Sequence, residues 1–301
     1  MIAFVVRHSL PFMFVAALLG FALPDASASV FPFLPYVLFS LMLLTLLSMQ
    51  PSKVLRYLIG TKVWCYSLIH GAGFMALLSF LNVFISMDSD LMLAVMAVAA
   101  TGSLFATPAI VRALGFDAIE AMAMTIATTL LLPFLIILTV YWYPTSNAEL
   151  DLVAYGLRLL IFIISPLVLS HLLRRLLSAN TLDRILMRTS KYTILLVFAF
   201  PFGLIGYFRN LWDQNSILAY QYLLIAFLLS ALFFLGAMSV YWRFGKEAAL
   251  TAAITSGNRN VLLTFTIASG LLGPAFLPLA GAMQLPMYLL PAITKLLHRK
   301  L

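Results

Sequence analysis

The stretch Ser256-Gly257-Asn258-Arg259-Asn260 brings several kinds of polar chemistry into an apolar segment. The guanidinium of Arg259 is a planar fork of N–H donors that matches the oxygens of a carboxylate or sulfonate. An arginine at the centre of a membrane helix costs about 2.5–3.5 kcal/mol, so it faces the protein interior or a water-filled cavity. We therefore expect one of two roles for Arg259. It binds a substrate anion directly, or it caps carbonyls or joins an internal ion pair that holds an interrupted helix together.

The chain that positions these residues is strongly apolar. Its 301 residues are 63% hydrophobic and 9% charged, whereas about one quarter of the residues of a soluble domain are charged. Apolar segments follow one another, and many approach the roughly 20 residues that a helix needs to cross a bilayer. The composition therefore predicts an all-α polytopic membrane protein, with the lipid bilayer as its first partner. The single Cys65 excludes an intrachain disulfide.

Ten apolar segments are predicted membrane spans. They are residues 8–24, 30–49, 63–86, 91–114, 117–141, 152–174, 190–208, 217–241, 246–269 and 273–297. The first has a rival interpretation as a cleaved signal peptide, because Arg7 precedes an apolar run that ends in PDASAS; we favour a short first span. We expect an interfacial stretch at residues 50–60 and a polar connection at residues 174–192. Pro286 and Pro291 are expected to break the tenth span.

The basic residues set the orientation, because cytoplasmic loops of membrane proteins collect Lys and Arg. Here every second loop holds them, counted from the N-terminus: Arg7, Lys53, Arg56, Lys62, Arg112, Arg174, Arg175, Arg184, Arg188, Lys191, Arg243, Lys246, Lys295, Arg299 and Lys300. The opposite loops hold only Arg209, while Arg158 and Arg259 lie inside spans. Both termini are therefore expected in the cytoplasm. The basic residues of the cytoplasmic loops then account for the net charge of +8, and no nucleic-acid partner is expected.

Ten spans divide into two sets of five. Because five is odd, the second set enters the membrane in the opposite direction, which is the layout of an inverted repeat. We place the first repeat at residues 1–143 and the second at residues 144–301. The fourth span contains AVAATGSLFATPAIV and the ninth ALTAAITSGNRNVLL, each interrupted by small polar residues. Such residues also allow close helix packing, but a matched pair of broken helices indicates the binding site of a transporter.

At these segments the chain resembles the bile acid:sodium symporter family and its superfamily of ten-span carriers. The resemblance covers nearly the whole length and includes LLGFALP, TIATTLLLPFLI and TSGNRNVLL. It implies two inverted five-helix repeats whose fourth and ninth helices are broken and cross near the membrane centre. It also implies sodium-coupled uptake of organic anions.

The chain departs from the ninth-span motif of that family, Glu-x-Gly-x-Gln-Asn. Gly257 and Asn260 match the motif, but Thr255 replaces the Glu and Arg259 replaces the Gln. In the family these two residues contribute to the sodium sites, together with hydroxyl and amide side chains of the fourth and fifth spans. The positions that match those side chains here are Thr107, Pro108, Ala121 and Thr125. Thr107, Thr125 and Thr255 keep a hydroxyl oxygen, yet a site without its carboxylate and beside a guanidinium binds a hard cation poorly.

The predicted substrate site lies between the broken fourth and ninth spans. Its residues are Thr101, Ser103, Thr107, Thr125, Thr255, Asn258, Arg259 and Asn260. Three further residues are candidates for binding a coupling ion. His70 could relay a proton or be a packed histidine, and Glu120 could bind a proton or pair with Arg112. Gln284 could reach the cavity or make an interhelical bond.

The sequence thus predicts a carrier that moves a small organic anion by alternating access, with sodium coupling weakened or absent. The alternatives are a proton-coupled or uncoupled exporter on the same scaffold, and a non-transporting sensor or assembly protein. The motifs of intramembrane metalloproteases, serine hydrolases and nucleotide-binding loops do not occur, so neither an enzyme nor a cofactor is expected. No Asn-x-Ser/Thr site occurs either, which favours a bacterial inner membrane.

Overall fold

The computed structural model describes residues 9–144 and 151–300, which are almost entirely helical. The helices are α1 (Ser9–Ala22), α2 (Pro24–Ser48), α3 (Pro51–Ile59), α4 (Thr61–Ile85), α5 (Ser89–Ala100), α6 (Thr107–Ala113), α7 (Ala118–Trp142), α8 (Leu152–Leu176), α9 (Ala179–Gln214), α10 (Ser216–Tyr241), α11 (Lys246–Gly257), α12 (Val261–Ala268) and α13 (Phe276–Lys300). Short turns of other helical types lie within α2, α4 and α8.

Seven of these helices are long and apolar enough to cross a membrane: α2, α4, α7, α8, the Leu195–Gln214 part of α9, α10 and α13. Two shorter apolar segments, Pro11–Ala22 and Ser89–Ala100, join them. An all-helical architecture of this kind is that of an integral membrane protein, because each helix satisfies its own backbone hydrogen bonds within lipid. The predicted fold class is confirmed at this level.

Two predicted connections are helical instead. Residues 24–30, between the first two predicted spans, form the beginning of α2, with Pro24 in its first turn. Most of the polar connection predicted at residues 174–192 belongs to α9, which has 36 residues and whose N-cap is Ser178. The prediction missed this helix because its polar face was taken for a loop. Most of the stretch expected at the membrane interface, residues 50–60, forms the short helix α3, in which Val54 is buried.

Helix α13 corrects a further prediction, because it continues through both Pro286 and Pro291. Proline removes one backbone donor, but neighbouring helices compensate for this loss in a membrane protein. One such neighbour is α9. A Cβ atom on Gly281 of α13 would lie 2.8 Å from the Leu204 carbonyl oxygen of α9. Helix α13 thus packs closely against α9 before the two prolines, and it stays helical where local preference predicts a break.

Small residues also bring the N-terminal helices close to α9. The hydroxyl of Ser27 donates to the carbonyl of Phe202 at 2.7 Å. A Cβ atom on Gly206 would lie 2.5 Å from that hydroxyl oxygen, and one on Gly20 would lie 2.2 Å from the Phe202 carbonyl oxygen. In lipid, small residues of this kind let helix backbones approach closely.

Candidate functional site

Both helix interruptions predicted from the sequence are present. Helix α5 ends at Ala100, and α6 begins at Thr107 with Pro108 in its first turn. Proline suits this position, since the first amides of a helix have no partner within the helix. Helix α11 ends at Gly257, and α12 begins at Val261. The non-helical residues 101–106 and 258–260 are called the junction below.

The two interruptions pair with each other. The amide of Leu104 donates to the carbonyl of Asn258 at 2.8 Å, and the amide of Asn260 donates to the carbonyl of Gly102 at 2.8 Å. Ser103 and Arg259 form an isolated antiparallel bridge between these bonds. An unpaired buried backbone group is costly, so this pairing lets both helices be interrupted inside the protein.

Arg259 is fully buried at the junction. Its Nη1 donates to the carbonyl of Ala99 at 2.8 Å and to the carbonyl of Thr101 at 2.9 Å. These oxygens lie at the C-terminal end of α5, where carbonyls have no partner within the helix and the helix dipole is negative. The carbonyl-capping role expected as one of two alternatives for Arg259 is therefore present.

The rest of the guanidinium is enclosed by aromatic rings. Its central carbon lies 3.9 Å from the ring centroid of Phe233 and 5.6 Å from that of Phe74, which stabilises the cation through the ring faces. Nε and Nη2 of Arg259 have no hydrogen-bond partner. The ion pairs of the described residues are Lys62–Glu120 and Arg209–Asp213, so no described carboxylate neutralises Arg259. A buried cation thus keeps two free donors.

His70 also contacts the junction and is buried. It lies in a π-helical turn of α4, Ile69–Gly73, and its Nε2 is 2.9 Å from the carbonyl oxygen of Thr101. This carbonyl also accepts from Arg259. Its Nδ1 lies 3.1 Å from the hydroxyl oxygen of Tyr66. A carbonyl only accepts, so Nε2 carries a proton and the neutral ring accepts from Tyr66 through Nδ1.

The hydroxyl groups at the junction connect its two halves. The Thr101 hydroxyl donates to the Ala97 carbonyl at 2.8 Å and shares a hydrogen bond with the Thr264 hydroxyl at 2.8 Å. The Ser103 hydroxyl donates to the Thr255 carbonyl at 2.8 Å. The Ser103 amide donates to the Thr128 hydroxyl of α7 at 3.0 Å. Thr101, Ser103 and Thr255 are therefore brought together as predicted.

Thr107, Thr125 and Thr255, which the family resemblance predicted as the remainder of a sodium site, are all buried. The hydroxyl of Thr125 donates to the Ala121 carbonyl at 2.9 Å, and that of Thr255 donates to the Thr251 carbonyl at 2.6 Å. Each bond lies within one helix. The hydroxyl of Thr107 has no partner. Among the residues that the structure describes, no three His, Cys, Asp or Glu side chains are grouped as for a metal ion.

Asn258 and Asn260 add further free polar atoms. Both are buried. Neither amide atom of the Asn258 side chain has a hydrogen-bond partner, and the side-chain nitrogen of Asn260 has none. The Asn260 side-chain oxygen accepts from the Leu263 amide at 3.2 Å and so caps α12. Buried polar atoms are normally paired with protein or water. Unpaired polar atoms on three consecutive residues therefore make the junction the candidate binding site.

The two remaining coupling-ion candidates are Glu120 and Gln284. Glu120 pairs with Lys62 at 2.6 Å, and the predicted partner Arg112 instead donates to the sulfur of Met49 at 3.5 Å. The prediction of a Glu120–Arg112 pair is wrong, because α4 begins beside α7 and brings Lys62 to the carboxylate. The side-chain nitrogen of Gln284 donates to the Ala280 carbonyl of its own helix at 2.8 Å.

A second contact lies beside this ion pair, at the start of α7. The Tyr57 hydroxyl donates to the Asp117 carboxylate at 2.6 Å, and this bond raises the pKa of Tyr57 to about 12. Burial alone would raise the pKa of Asp117, but hydrogen bonds from Tyr57 and from the amides of Glu120 and Ile119 outweigh it and lower that pKa. Helix α3 is thereby attached to α7.

Several residues of the site were not predicted from the sequence. Tyr66, Phe233 and Thr264 belong to segments that read as ordinary membrane helices, and nothing in their spacing marks them. Thr128 lies in the TIATTLLLPFLI stretch that carried the family resemblance, but its bond to Ser103 depends on how α7 packs against the junction. No protein-family model matches the chain, and no curated protein matches it.

Proposed function

We propose that the protein is a secondary transporter that moves a small organic anion across the membrane by alternating access. The observation that carries this proposal is the free edge of Arg259, formed by Nε and Nη2. These two N–H groups point in the same direction, and their spacing matches two oxygens of one carboxylate or sulfonate. A neutral ligand would leave the buried cation without a counter-charge, which is costly.

The surroundings of Arg259 favour an approach in the plane of the guanidinium. Its Nη1 is occupied by the two carbonyls of α5, and the ring of Phe233 lies close to its central carbon. The Nε–Nη2 edge is left for an anion. Asn258 and Asn260, the residues on either side of Arg259 in the sequence, also have unpaired side-chain nitrogens. Donors of this kind hold an anion through charge-assisted hydrogen bonds and orient it.

Alternating access follows from the burial of the site. Arg259 is 0% exposed, so an anion reaches it only after neighbouring helices separate on one side of the membrane. Interrupted helices are the elements that line such sites in transporters. We place the junction within a ten-span carrier made of two inverted repeats, residues 1–143 and 144–301, that resembles the bile acid:sodium symporters. Its termini would face the cytoplasm of a bacterial cell, across the inner membrane.

Sodium is not the coupling ion in this proposal. The hydroxyls of Thr125 and Thr255 donate within their own helices, and no described carboxylate lies at the junction to replace the acidic ligand of the family. At the junction, the fixed positive charge of Arg259 takes the place of the charge that a bound sodium ion would supply. A hard cation such as sodium prefers a cage of oxygen ligands without a guanidinium beside it.

The experiment is a thermal-shift measurement on detergent-purified protein. Benzoate and benzenesulfonate are the anionic probes, benzenesulfonamide is the neutral control, and each is added with and without sodium. The variants are Arg259→Gln and Arg56→Gln, since Arg56 is an exposed arginine of α3 and serves as the matched control. A bound ligand stabilises the folded state by mass action. We expect the anions to raise the melting temperature of the wild type and of Arg56→Gln without sodium, and to have no effect on Arg259→Gln.

Two results would contradict the proposal. Equal stabilisation of the wild type and Arg259→Gln by the anions would show that they bind elsewhere. An absolute requirement for sodium would show that the altered sodium positions still bind the ion. No stabilisation by either anion would favour the non-transporting sensor or assembly protein.

A further inference from the structure

A short chain of hydrogen bonds leads from the junction into α4. The carbonyl of Thr101 accepts from Arg259 Nη1 and from His70 Nε2, both at 2.9 Å. His70 Nδ1 in turn lies 3.1 Å from the hydroxyl oxygen of Tyr66. Each of these side chains is at most 2% exposed. The proposed anion site and the imidazole thus share one carbonyl.

The bond between Tyr66 and His70 can be reversed without loss of a partner. In the neutral state the Tyr66 hydroxyl donates to His70 Nδ1. A second acceptor, the carbonyl of Ala252 in α11, lies 3.5 Å from the same hydroxyl oxygen. If a proton from water binds Nδ1, the Nδ1–H group donates to the Tyr66 oxygen, and the Tyr66 hydroxyl turns to donate to Ala252. Both ring nitrogens of a charged imidazole then have acceptors.

Burial and the charge of Arg259 both oppose a proton on His70, which is buried and shares the Thr101 carbonyl with Arg259. The ring of Tyr241 from α10 lies 5.6 Å from that of Tyr66 and carries no charge near neutral pH. With an empty site, protonation of His70 would place two cations on one carbonyl in a buried environment, which is unfavourable. An anion on the free edge of Arg259 removes this repulsion.

The acidic groups of the helices packed against this part of α4 lie farther away. On α7, Glu120 is paired with Lys62 and precedes Thr128, which contacts the junction, by eight residues, or roughly 12 Å of helix. Asp117 lies still farther along the chain. On α5, Asp90 lies in the first turn, roughly 15 Å of helix from the end that reaches the junction.

We propose that His70 is the proton-binding site that couples this carrier, so that one proton and one anion bind together and the transporter is a proton–anion symporter. This inference rests on the proposed function. Coupling between two sites is reciprocal: an anion at Arg259 favours the proton on His70, and a proton on His70 favours the anion. The loaded site contains two positive charges, on Arg259 and on His70, and one negative charge on the anion. Its net charge is therefore the same single positive charge as in the empty site.

Isothermal titration calorimetry of purified protein with benzenesulfonate tests this coupling. The sulfonate stays ionised throughout the neutral range, so every proton taken up is bound by the protein. Titrations in buffers of different ionisation enthalpy count these protons. At pH values between those at which His70 titrates in the empty and in the loaded protein, we expect uptake of about one proton per anion and a Kd that weakens about tenfold per pH unit.

Three variants separate coupling from folding. His70→Gln, which keeps a donor for Thr101, is expected to bind benzenesulfonate with no proton uptake and a Kd that does not depend on pH. Tyr66→Phe keeps His70 but removes the acceptor of its second proton. Its affinity is therefore expected to fall at low pH and to match the wild type at high pH. His171→Gln changes an exposed histidine and is expected to behave as the wild type.

Each result bears on one of the two proposals. Benzenesulfonate binding to the wild type without proton uptake, or undiminished uptake in His70→Gln, would overturn the role of His70 and leave the anion site standing. Unchanged pH dependence in Tyr66→Phe would overturn the reversible hydrogen-bond chain. If benzenesulfonate fails to bind at any pH, the anion site at Arg259 is itself contradicted, and the coupling with it.

Discussion

Gly102 lies where the backbone of the junction closely approaches the backbone of α7, and its replacement by alanine is expected to disturb both stability and binding. A Cβ atom there would lie 3.1 Å from the Thr129 amide nitrogen and 3.2 Å from the Thr128 carbonyl carbon and oxygen, whereas ordinary contacts begin near 3.4 Å. All three atoms are backbone, so no side chain can rotate away. The junction and α7 must therefore separate by a few tenths of an ångström. Overpacking of this kind costs about 1–3 kcal/mol.

The assay is thermal unfolding of Gly102→Ala beside Gly156→Ala. Nothing lies within 4 Å of a Cβ atom on Gly156 in α8, and alanine there gains up to about 1 kcal/mol of helix propensity. We expect Gly102→Ala to unfold several degrees below the wild type and Gly156→Ala to match or exceed it. We also expect weaker benzenesulfonate binding to Gly102→Ala. Unchanged stability and affinity in Gly102→Ala would refute the close approach of the junction to α7.

Two further predictions concern the start of α7. Lys62→Met leaves the largely buried carboxylate of Glu120 without its partner and should lower the free energy of unfolding by about 2 kcal/mol. The double mutant with Glu120→Gln should regain most of that stability. If the effects of the two substitutions simply add, the residues are not a coupled pair. The raised pKa of Tyr57, about 12 against an ordinary 10.0, means that its bond to Asp117 contributes stability below pH 10 and that this contribution is lost as the pH rises toward 12. A tyrosinate absorbance titration of Asp117→Asn should show Tyr57 titrating at a lower pH than in the wild type, while burial and Glu120 still hold its pKa above the ordinary value. An unchanged titration would contradict the bond.

The interruptions of the two helices could be predicted because their causes are local. Glycine, serine and asparagine weaken a helix wherever they occur, so the break at Gly102 and the one that follows Ser256 and Gly257, at residues 258–260, follow from residue type. The same local reasoning failed at Pro286 and Pro291, because α13 continues as a helix through both. Local preference predicts a break only where neighbouring helices do not compensate for the lost hydrogen bond.

The contacts of the site could not be predicted because they join distant parts of the chain. The buried charge of Arg259 was evident from the sequence, but its bonds to Ala99 and Thr101 and its contact with Phe233 depend on how α5, α10 and α12 pack. Both expected roles of this arginine turn out to be compatible, since one nitrogen caps α5 while an edge remains free. The sequence alone cannot show which nitrogens of the guanidinium bond within the protein and which remain free.

The most direct test of the central claim is uptake of radiolabelled benzenesulfonate by proteoliposomes that contain the purified protein. The probe is permanently charged and does not cross lipid as a neutral acid. We expect saturable uptake in the wild type and in Arg56→Gln that benzenesulfonamide does not inhibit, and we expect this uptake to be lost in Arg259→Gln protein that remains folded. Uptake no greater than in protein-free liposomes, or equal uptake by the wild type and Arg259→Gln, would contradict an anion carrier built around Arg259.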